Sequence, residues 1–128
     1  MTGRELSSAR LQALRGATTV VRDDEGAIVE ATAGLLRAVF ERNDIAHDDI
    51  VSLVFTATPD LTSEFPAAAA RLIGISDVPL LCASEIDVRG AIPRCIRVLA
   101  HVYTELARGS LRHVYLGEAR QLRTDLPE

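Results

Sequence analysis

The alternation of apolar and polar positions along the chain predicts five strands and two helices. Five short segments are rich in apolar and β-branched residues, which is typical of strands that are buried on at least one face. The predicted strands cover residues 11–21, 50–58, 78–88, 95–105 and 112–122, the last with a bend at Gly117. Apolar residues at helical spacing follow the acidic turn "RDDEG" up to Asn43, which predicts one long amphipathic helix. A second, shorter helix is predicted between Pro66 and Gly74.

The fourth predicted strand has one apolar face and one mixed face. Its apolar face consists of Ile96, Val98, Ala100 and Val102, and its mixed face of Cys95, Arg97, Leu99, His101 and Tyr103. The apolar face suits a core beneath the long helix. Because a single long helix cannot cover both faces of a five-stranded sheet, we expect the chain to form an oligomer.

Composition narrows the class of protein. A chain of 128 residues predicts one domain, of which residues 1–10 form a loose polar leader. The net charge of −4 and the aromatic content of 4% argue against nucleic acid as a partner. No apolar run approaches the roughly 20 residues of a membrane helix, and the first residues lack the apolar core of a signal peptide. The two cysteines form no CxxC pair, so we expect free thiols and a cytoplasmic location.

Arginines interrupt two of the apolar segments, "LQALRGATTVV" and "CIRVLAHVY". Arg15 and Arg97 could each extend a charged end into water, and for either one alone this is the stronger interpretation. Two such arginines on separate strands, joined by Arg71 and Arg123, favour a site for an anionic ligand, because burying an unpaired charge is costly. Glu85 is then either a structural ion-pair partner of an arginine or part of that site.

Other polar and aromatic side chains have structural interpretations that spacing alone leaves in place. Tyr115 is typical of a core aromatic, Phe65 of a hydrophobic staple before a helix, and His113 of a strand surface. The three histidines show no metal-ligand spacing, and the chain has neither a phosphate-binding loop nor a nucleophile elbow. Pattern and composition alone therefore predict a small domain with helices and strands and an anion site.

Six short motifs, in order along the chain, make the interpretation more specific. They are "RGATTV" from Arg15, "TATPDL" from Thr56, "FPAAAAR" from Phe65, "VPLLCASEIDV" from Val78, "RCIRV" from Arg94 and "RHVYL" from Arg112. Together they resemble the monofunctional chorismate mutases of the trimeric, Bacillus-type family, from about residue 14 to residue 126.

This resemblance implies an α+β fold class and a homotrimeric pseudo-α/β barrel related to ferredoxin-like sheets. Each subunit would supply about five strands of mixed sheet, one long helix and one short helix, with active sites at the subunit interfaces. The implied activity is the rearrangement of chorismate to prephenate, the shikimate-pathway branch step towards phenylalanine and tyrosine. It would need no cofactor and no metal.

The resemblance also implies roles for individual residues. Arg15 would bind a substrate carboxylate, and Arg97 would bind the ether oxygen and the neighbouring carboxylate. Glu85 would accept a hydrogen bond from the ring hydroxyl, so that these three residues carry the catalysis. The further substrate contacts that the resemblance implies are Phe65, Arg71, Cys82, Tyr115, Leu122 and Arg123.

Two other functions fit a trimeric barrel of this kind, because a fold does not determine a function. A Rid-like deaminase would hydrolyse an enamine or imine with an interfacial arginine and an ordered water. A non-catalytic trimer would bind small carboxylates through Arg15 without converting them. The combination of Glu85 and Arg97 with the "RGATTV" motif favours the mutase over both.

Overall fold

A computed structural model describes residues 8–123 and contains one mixed five-stranded sheet beside two α-helices. The strands are β1 (Arg10–Thr19), β2 (Ile50–Ala57), β3 (Leu80–Ser84), β4 (Cys95–Thr104) and β5 (Val114–Tyr115). The helices are α1 (Glu25–Arg42) and α2 (Ala67–Leu72), with 3-10 helices at His47–Asp49, Arg108–Ser110 and Gly117–Leu122. The strand order is β3-β2-β4-β1-β5. β4 runs antiparallel to β1 and β2, whereas β3 is parallel to β2 and β5 to β1.

The long helix α1 begins and ends where its sequence predicts. The Asp24 carboxylate accepts a hydrogen bond from the Ala27 amide at 2.9 Å and caps the N-terminus. At the other end, the buried Asn43 side chain donates to the Val39 carbonyl and also binds the backbone of Arg112. The helix end is thereby joined to the segment that leads into β5.

The core lies on one face of the sheet, beneath α1 and α2. All four apolar-face residues of β4 are buried: Ile96, Val98, Ala100 and Val102. A Cβ added at Gly16 would lie 3.0 Å from Leu35 and Val39 of α1 and 3.1 Å from Val98, so the helix sits directly on β1 and β4 here. The predicted assignment of this face to the core is confirmed.

The opposite face of the sheet carries no α-helix in the part of the chain that the structure describes. We call it the open face. The 3-10 helix Gly117–Leu122 packs over one end of it, where Ala119 joins Ala17 and Cys95 in a small buried cluster. Elsewhere this face exposes apolar side chains, including Leu99 at 36% and Tyr103 at 39%.

Two predicted strands are shorter than their patterns suggested. Strand β3 ends at Ser84, so Glu85 follows the strand instead of lying within it. Strand β5 contains only Val114 and Tyr115, because Gly117 takes a positive φ of 59° and the chain turns into a 3-10 helix. The predicted bend at Gly117 is confirmed, but the strand does not continue beyond it.

The α+β fold class is confirmed by this mixed sheet with its two helices. Of the predicted leader, residues 1–7 lie outside the described residues, and β1 begins at Arg10. No helix within residues 8–123 combines the length and apolar character needed to cross a membrane.

Candidate active site

The register of the sheet brings three of the predicted site residues, Arg15, Arg97 and Tyr115, into neighbouring rows. Arg97 lies opposite Thr56 of β2 and Ala17 of β1, and Ala17 lies opposite Tyr115 of β5. In the next row, Arg15 lies opposite Leu99. Small neighbours on both sides of Arg97 leave room above the sheet.

This room is a cavity of about 320 Å³, which we call the Arg97 cavity. It is lined by Arg15, Gly16, Ala17, Val54, Thr56, Glu85, Arg97, Val98, Leu99 and Tyr115. With two guanidinium groups and one carboxylate, its lining has a net positive charge. Arg15 is the sixth residue of β1 and Arg97 the third residue of β4, and both arginines are exposed on the open face.

Glu85 contacts two other side chains that line the Arg97 cavity. Its Oε2 accepts a short hydrogen bond from the Thr56 hydroxyl, and its backbone N–H donates to the Ala57 carbonyl at 2.9 Å. The other carboxylate oxygen, Oε1, lies 3.6 Å from Arg97 Nε. The side chains of Glu85 and Arg97 are 23% and 46% exposed, so the pair remains open to a ligand.

The start of β4, two residues before Arg97, is fixed to the loop that follows β2. The Cys95 amide donates to the Thr58 hydroxyl at 2.9 Å, and the Thr58 amide donates back to the Cys95 carbonyl at 3.0 Å. The Arg94 amide donates to the Asp60 carboxylate at 2.9 Å. These bonds hold the backbone of Arg97 rigidly relative to β2, which carries Thr56.

Phe65 and Cys82 line a different cavity of about 500 Å³, which we call the Phe65 cavity. It shares no lining residue with the Arg97 cavity. Cys82 lies opposite Phe55 and packs against the core, whereas Phe65 is 67% exposed. The staple interpretation of Phe65 is therefore wrong, because a staple must pack against its helix.

The loop that carries Phe65 is held by Asp23. The Asp23 carboxylate accepts hydrogen bonds from the amides of Thr62 and Ser63 at 3.0 and 3.1 Å, and from the Thr62 hydroxyl at 2.9 Å. Partial desolvation raises the pKa of Asp23, but the hydrogen bonds from Thr62 and Ser63 outweigh it and keep this pKa below its ordinary value.

The remaining predicted residues lie at the margins of these cavities. Arg71 is exposed in the last turn of α2 and lines neither of them. Leu122 packs with Tyr115 against the cluster around Ala17, next to the Arg97 cavity. Arg123 follows Leu122 directly and lies near enough to His113 for its positive charge to lower the pKa of the imidazole.

Thr56 is the site residue that the sequence interpretation missed. It stands first in "TATPDL", but it received no role because its partner Glu85 is 29 residues away in the sequence. The alternation of side chains along β2 could have indicated Thr56, because its neighbour Phe55 is buried and Thr56 must therefore point to the open face. Within residues 8–123, no cluster of three or more His, Cys, Asp or Glu side chains could hold a metal ion.

Comparison with known proteins identifies the family. The sequence model of chorismate mutase type I matches residues 11–126. The chorismate mutase AroH of Thermus thermophilus is 49% identical over 117 residues, which cover 91% of this chain and 96% of that protein. The chorismate mutase AroH of Bacillus subtilis (strain 168) is 44% identical over 117 residues, which cover 91% of this chain and 92% of that protein.

A solved structure agrees with these sequence matches. A chorismate mutase from Clostridium thermocellum superposes with a TM-score of 0.85 at 44% identity, covering 86% of this chain and 98% of that one. The resemblance carried by the six motifs is thereby confirmed, and this chain belongs to the type I chorismate mutase family.

Proposed function

We propose that this protein is an isomerase that converts chorismate to prephenate, and that it does so in the Arg97 cavity. The observation that carries the proposal is the convergence of Arg15, Arg97 and Glu85 on one cavity in a chain of the type I family. The reaction exchanges a C–O bond for a C–C bond within one molecule. Because this [3,3] rearrangement needs neither a proton nor a nucleophile, the protein has to supply geometry and charge.

Arg15 and Arg97 supply the geometry by binding the two substrate carboxylates. A guanidinium donates two parallel hydrogen bonds to a carboxylate, which fixes orientation as well as distance. When the substrate is held at both carboxylates, its flexible enolpyruvyl arm folds over the ring in the compact reactive shape. Binding removes much of the rotational freedom of the substrate before the reaction begins, so the loss of this entropy no longer contributes to the barrier. Tyr115 adds a contact to one carboxylate from β5.

Arg97 also supplies charge at the reacting bond. As the C–O bond lengthens, negative charge develops on the ether oxygen and positive character on the ring. A guanidinium directed at that oxygen stabilises the transition state more than the ground state. Glu85 accepts a hydrogen bond from the ring hydroxyl, and Thr56 holds the carboxylate in place for that contact.

We further propose that the active enzyme is a homotrimer whose sites lie between subunits. The exposed apolar side chains of the open face support this, because a solvated sheet face seldom carries so many. The separation of the two cavities supports it as well. Phe65 and Cys82 of one subunit, with Arg71 at the rim, would complete the Arg97 cavity of its neighbour. That neighbour would contribute its own Leu122 and Arg123 to the same site. We expect this enzyme to act in the cytoplasm.

A direct assay tests the proposed activity. Purified protein is incubated with chorismate without any cofactor, and the loss of diene absorbance is followed. Acid treatment then converts prephenate to phenylpyruvate, which identifies the product. We expect prephenate to form in proportion to the chorismate lost. Binding of chorismate without turnover would contradict the proposal and would indicate a carboxylate-binding module instead.

A further inference from the structure

His113 makes a side-chain contact that the proposed mechanism does not use. Its Nδ1 lies 3.0 Å from the backbone nitrogen of Arg15 and accepts the hydrogen bond of that amide. Strand β5 pairs with β1 only at Val114 and Tyr115, opposite Gly16 and Ala17. The imidazole therefore continues the β1–β5 pairing by one residue, in place of a backbone carbonyl.

This contact requires a neutral imidazole. The Arg15 amide is a donor, so Nδ1 must be unprotonated and the ring proton must be on Nε2. A protonated ring would carry N–H groups on both nitrogens and would face the amide with a second donor. Protonation therefore breaks the bond and places a positive charge next to the backbone of Arg15.

The position of His113 is held on both sides. The Asn43 side chain accepts from the Arg112 amide at 2.7 Å and donates to the Arg112 carbonyl at 2.8 Å. On the other side, Val114 is fully buried in the core. Because both neighbours are held, we expect protonation to act on the side-chain contact with Arg15 and not on the backbone of His113.

The surroundings of His113 are positively charged. Arg15 from β1, Arg108 from the 3-10 helix Arg108–Ser110 and His101 from β4 line a cavity of about 440 Å³ with it. Arg123 approaches from the end of the 3-10 helix Gly117–Leu122. The lining of this cavity, as far as the described residues form it, contains no carboxylate. Burial lowers the pKa of His113, and the charges of Arg15 and Arg123 lower it further.

We propose that His113 is a positioning residue for Arg15 and makes substrate binding sensitive to acid. The neutral ring accepts the Arg15 amide on the β5 side of β1, while β4 pairs with the other side, and the Arg15 guanidinium reaches the Arg97 cavity. When the ring gains a proton, this anchor is lost and the affinity for the dianionic substrate falls. Arg97 and Glu85 are held by other bonds, so the rate of the bound complex changes less. The inference rests on the proposed function of the Arg97 cavity.

Two substitutions separate this role from a general structural one. Asn places its amide oxygen near the position of Nδ1 and cannot titrate, whereas Gln places its oxygen near Nε2. For wild type, KM for chorismate should rise towards about fivefold, the effect of one backbone hydrogen bond, as the pH falls from about 8 to about 5, with a smaller change in kcat. The rise should begin below the pH at which an ordinary histidine titrates, because burial and the charges of Arg15 and Arg123 lower the pKa of His113. His113→Asn should keep the KM of neutral wild type over this range. His113→Gln should show a raised KM throughout.

The outcomes distinguish a failure of this inference from a failure of the proposed function. Absence of prephenate formation by wild type at about pH 8 would overturn the proposed function itself. Normal turnover, with wild type and His113→Asn giving the same pH profile of KM, would overturn only the role of His113. The ¹H–¹⁵N spectrum of the wild-type protein tests the contact even if the variants do not fold. The Arg15 amide resonance must shift with the titration of the His113 ring, and an unchanged resonance would refute the contact.

Discussion

At the scale of single residues, the Arg97–Glu85 pair is central to the proposed chemistry of the site. The Nε–Oε1 distance of 3.6 Å and the partial exposure of both side chains describe a weak pair, since solvent screens their attraction. Such a pair can exchange its partner for a ligand at little cost. A carboxylate or an ether oxygen can therefore approach Arg97 while Glu85 turns to a hydroxyl.

Replacing Arg97 tests this assignment. Arg97→Lys keeps the positive charge but loses the planar fork and the direction of its N–H groups. We expect kcat to fall by about 10²–10³-fold, the usual effect of removing one preorganised donor. Arg89→Lys is the matched control, because Arg89 is exposed and lines none of the three cavities. Steady-state kinetics of both variants measure the difference, and wild-type turnover by Arg97→Lys would refute the assignment.

Thr56 offers a second test at this scale. Thr56→Val keeps the shape of the side chain but removes the hydroxyl that donates to Glu85 Oε2. We expect kcat/KM to fall about tenfold, since hydrogen bonds to charged groups are stronger than neutral ones. Thr56→Ser restores the hydroxyl and should restore most of the activity. Equal kinetics for the Val and Ser variants would show that Glu85 does not depend on this bond.

At the scale of elements, the turn after β5 decides how much of the open face is covered. Gly117 takes φ of 59°, and the Thr19 hydroxyl accepts the next amide, that of Glu118, at 3.0 Å. The chain thereby folds back over β1 as the 3-10 helix Gly117–Leu122. The turn is the reason that Tyr115 and Leu122 lie on the same side of the sheet.

Gly117→Ala should therefore destabilise the protein. An alanine Cβ would lie 2.7 Å from the Thr19 hydroxyl, and L-residues are strained at this φ. We expect a loss of about 1–2 kcal/mol in the free energy of unfolding, measured by urea denaturation. Gly109→Ala is the control, because a Cβ there meets no atom within 4 Å. A loss of equal size in the control variant would contradict the explanation.

At the scale of the whole molecule, the two separate cavities are the basis for the proposed homotrimer with shared sites. Arg15, Glu85, Arg97 and Tyr115 line one cavity of the chain, and Phe65 and Cys82 line the other. If each complete site uses one cavity from each of two neighbours, the contact between subunits is head-to-tail and closes into a ring. Light scattering of the purified protein should then give the mass of three chains.

Mixed oligomers test the sharing of sites. Arg97→Ala and Phe65→Asp should each be inactive alone, because each damages one half of every site. Subunits of both variants, refolded together in equal amounts, should recover about a quarter of the wild-type activity. A site is intact only when one subunit supplies a normal Arg97 and its neighbour a normal Phe65, and each condition holds about half of the time. Arg97→Ala mixed with Arg15→Ala is the control and should recover nothing. Absence of recovery in the first mixture would place each site within a single chain.

The sequence alone determined the local elements and the chemical character of the site. The alternation along β4 and the Asp24 cap of α1 depend on residues a few positions apart, so their patterns are visible in the chain itself. The two arginines in apolar strands also stood out, because a charge in such a segment needs a partner.

Only the tertiary structure decided which groups meet. Glu85 reaches Thr56 across parallel strands, and His113 reaches the amide of Arg15, 98 residues away in the sequence. Strand β5 is short because Gly117 turns the chain towards Thr19, whose hydroxyl accepts from the Glu118 amide, 99 residues away in the sequence. Sheet register and side-chain contacts of this kind depend on the packing of the whole chain, and no local pattern records them.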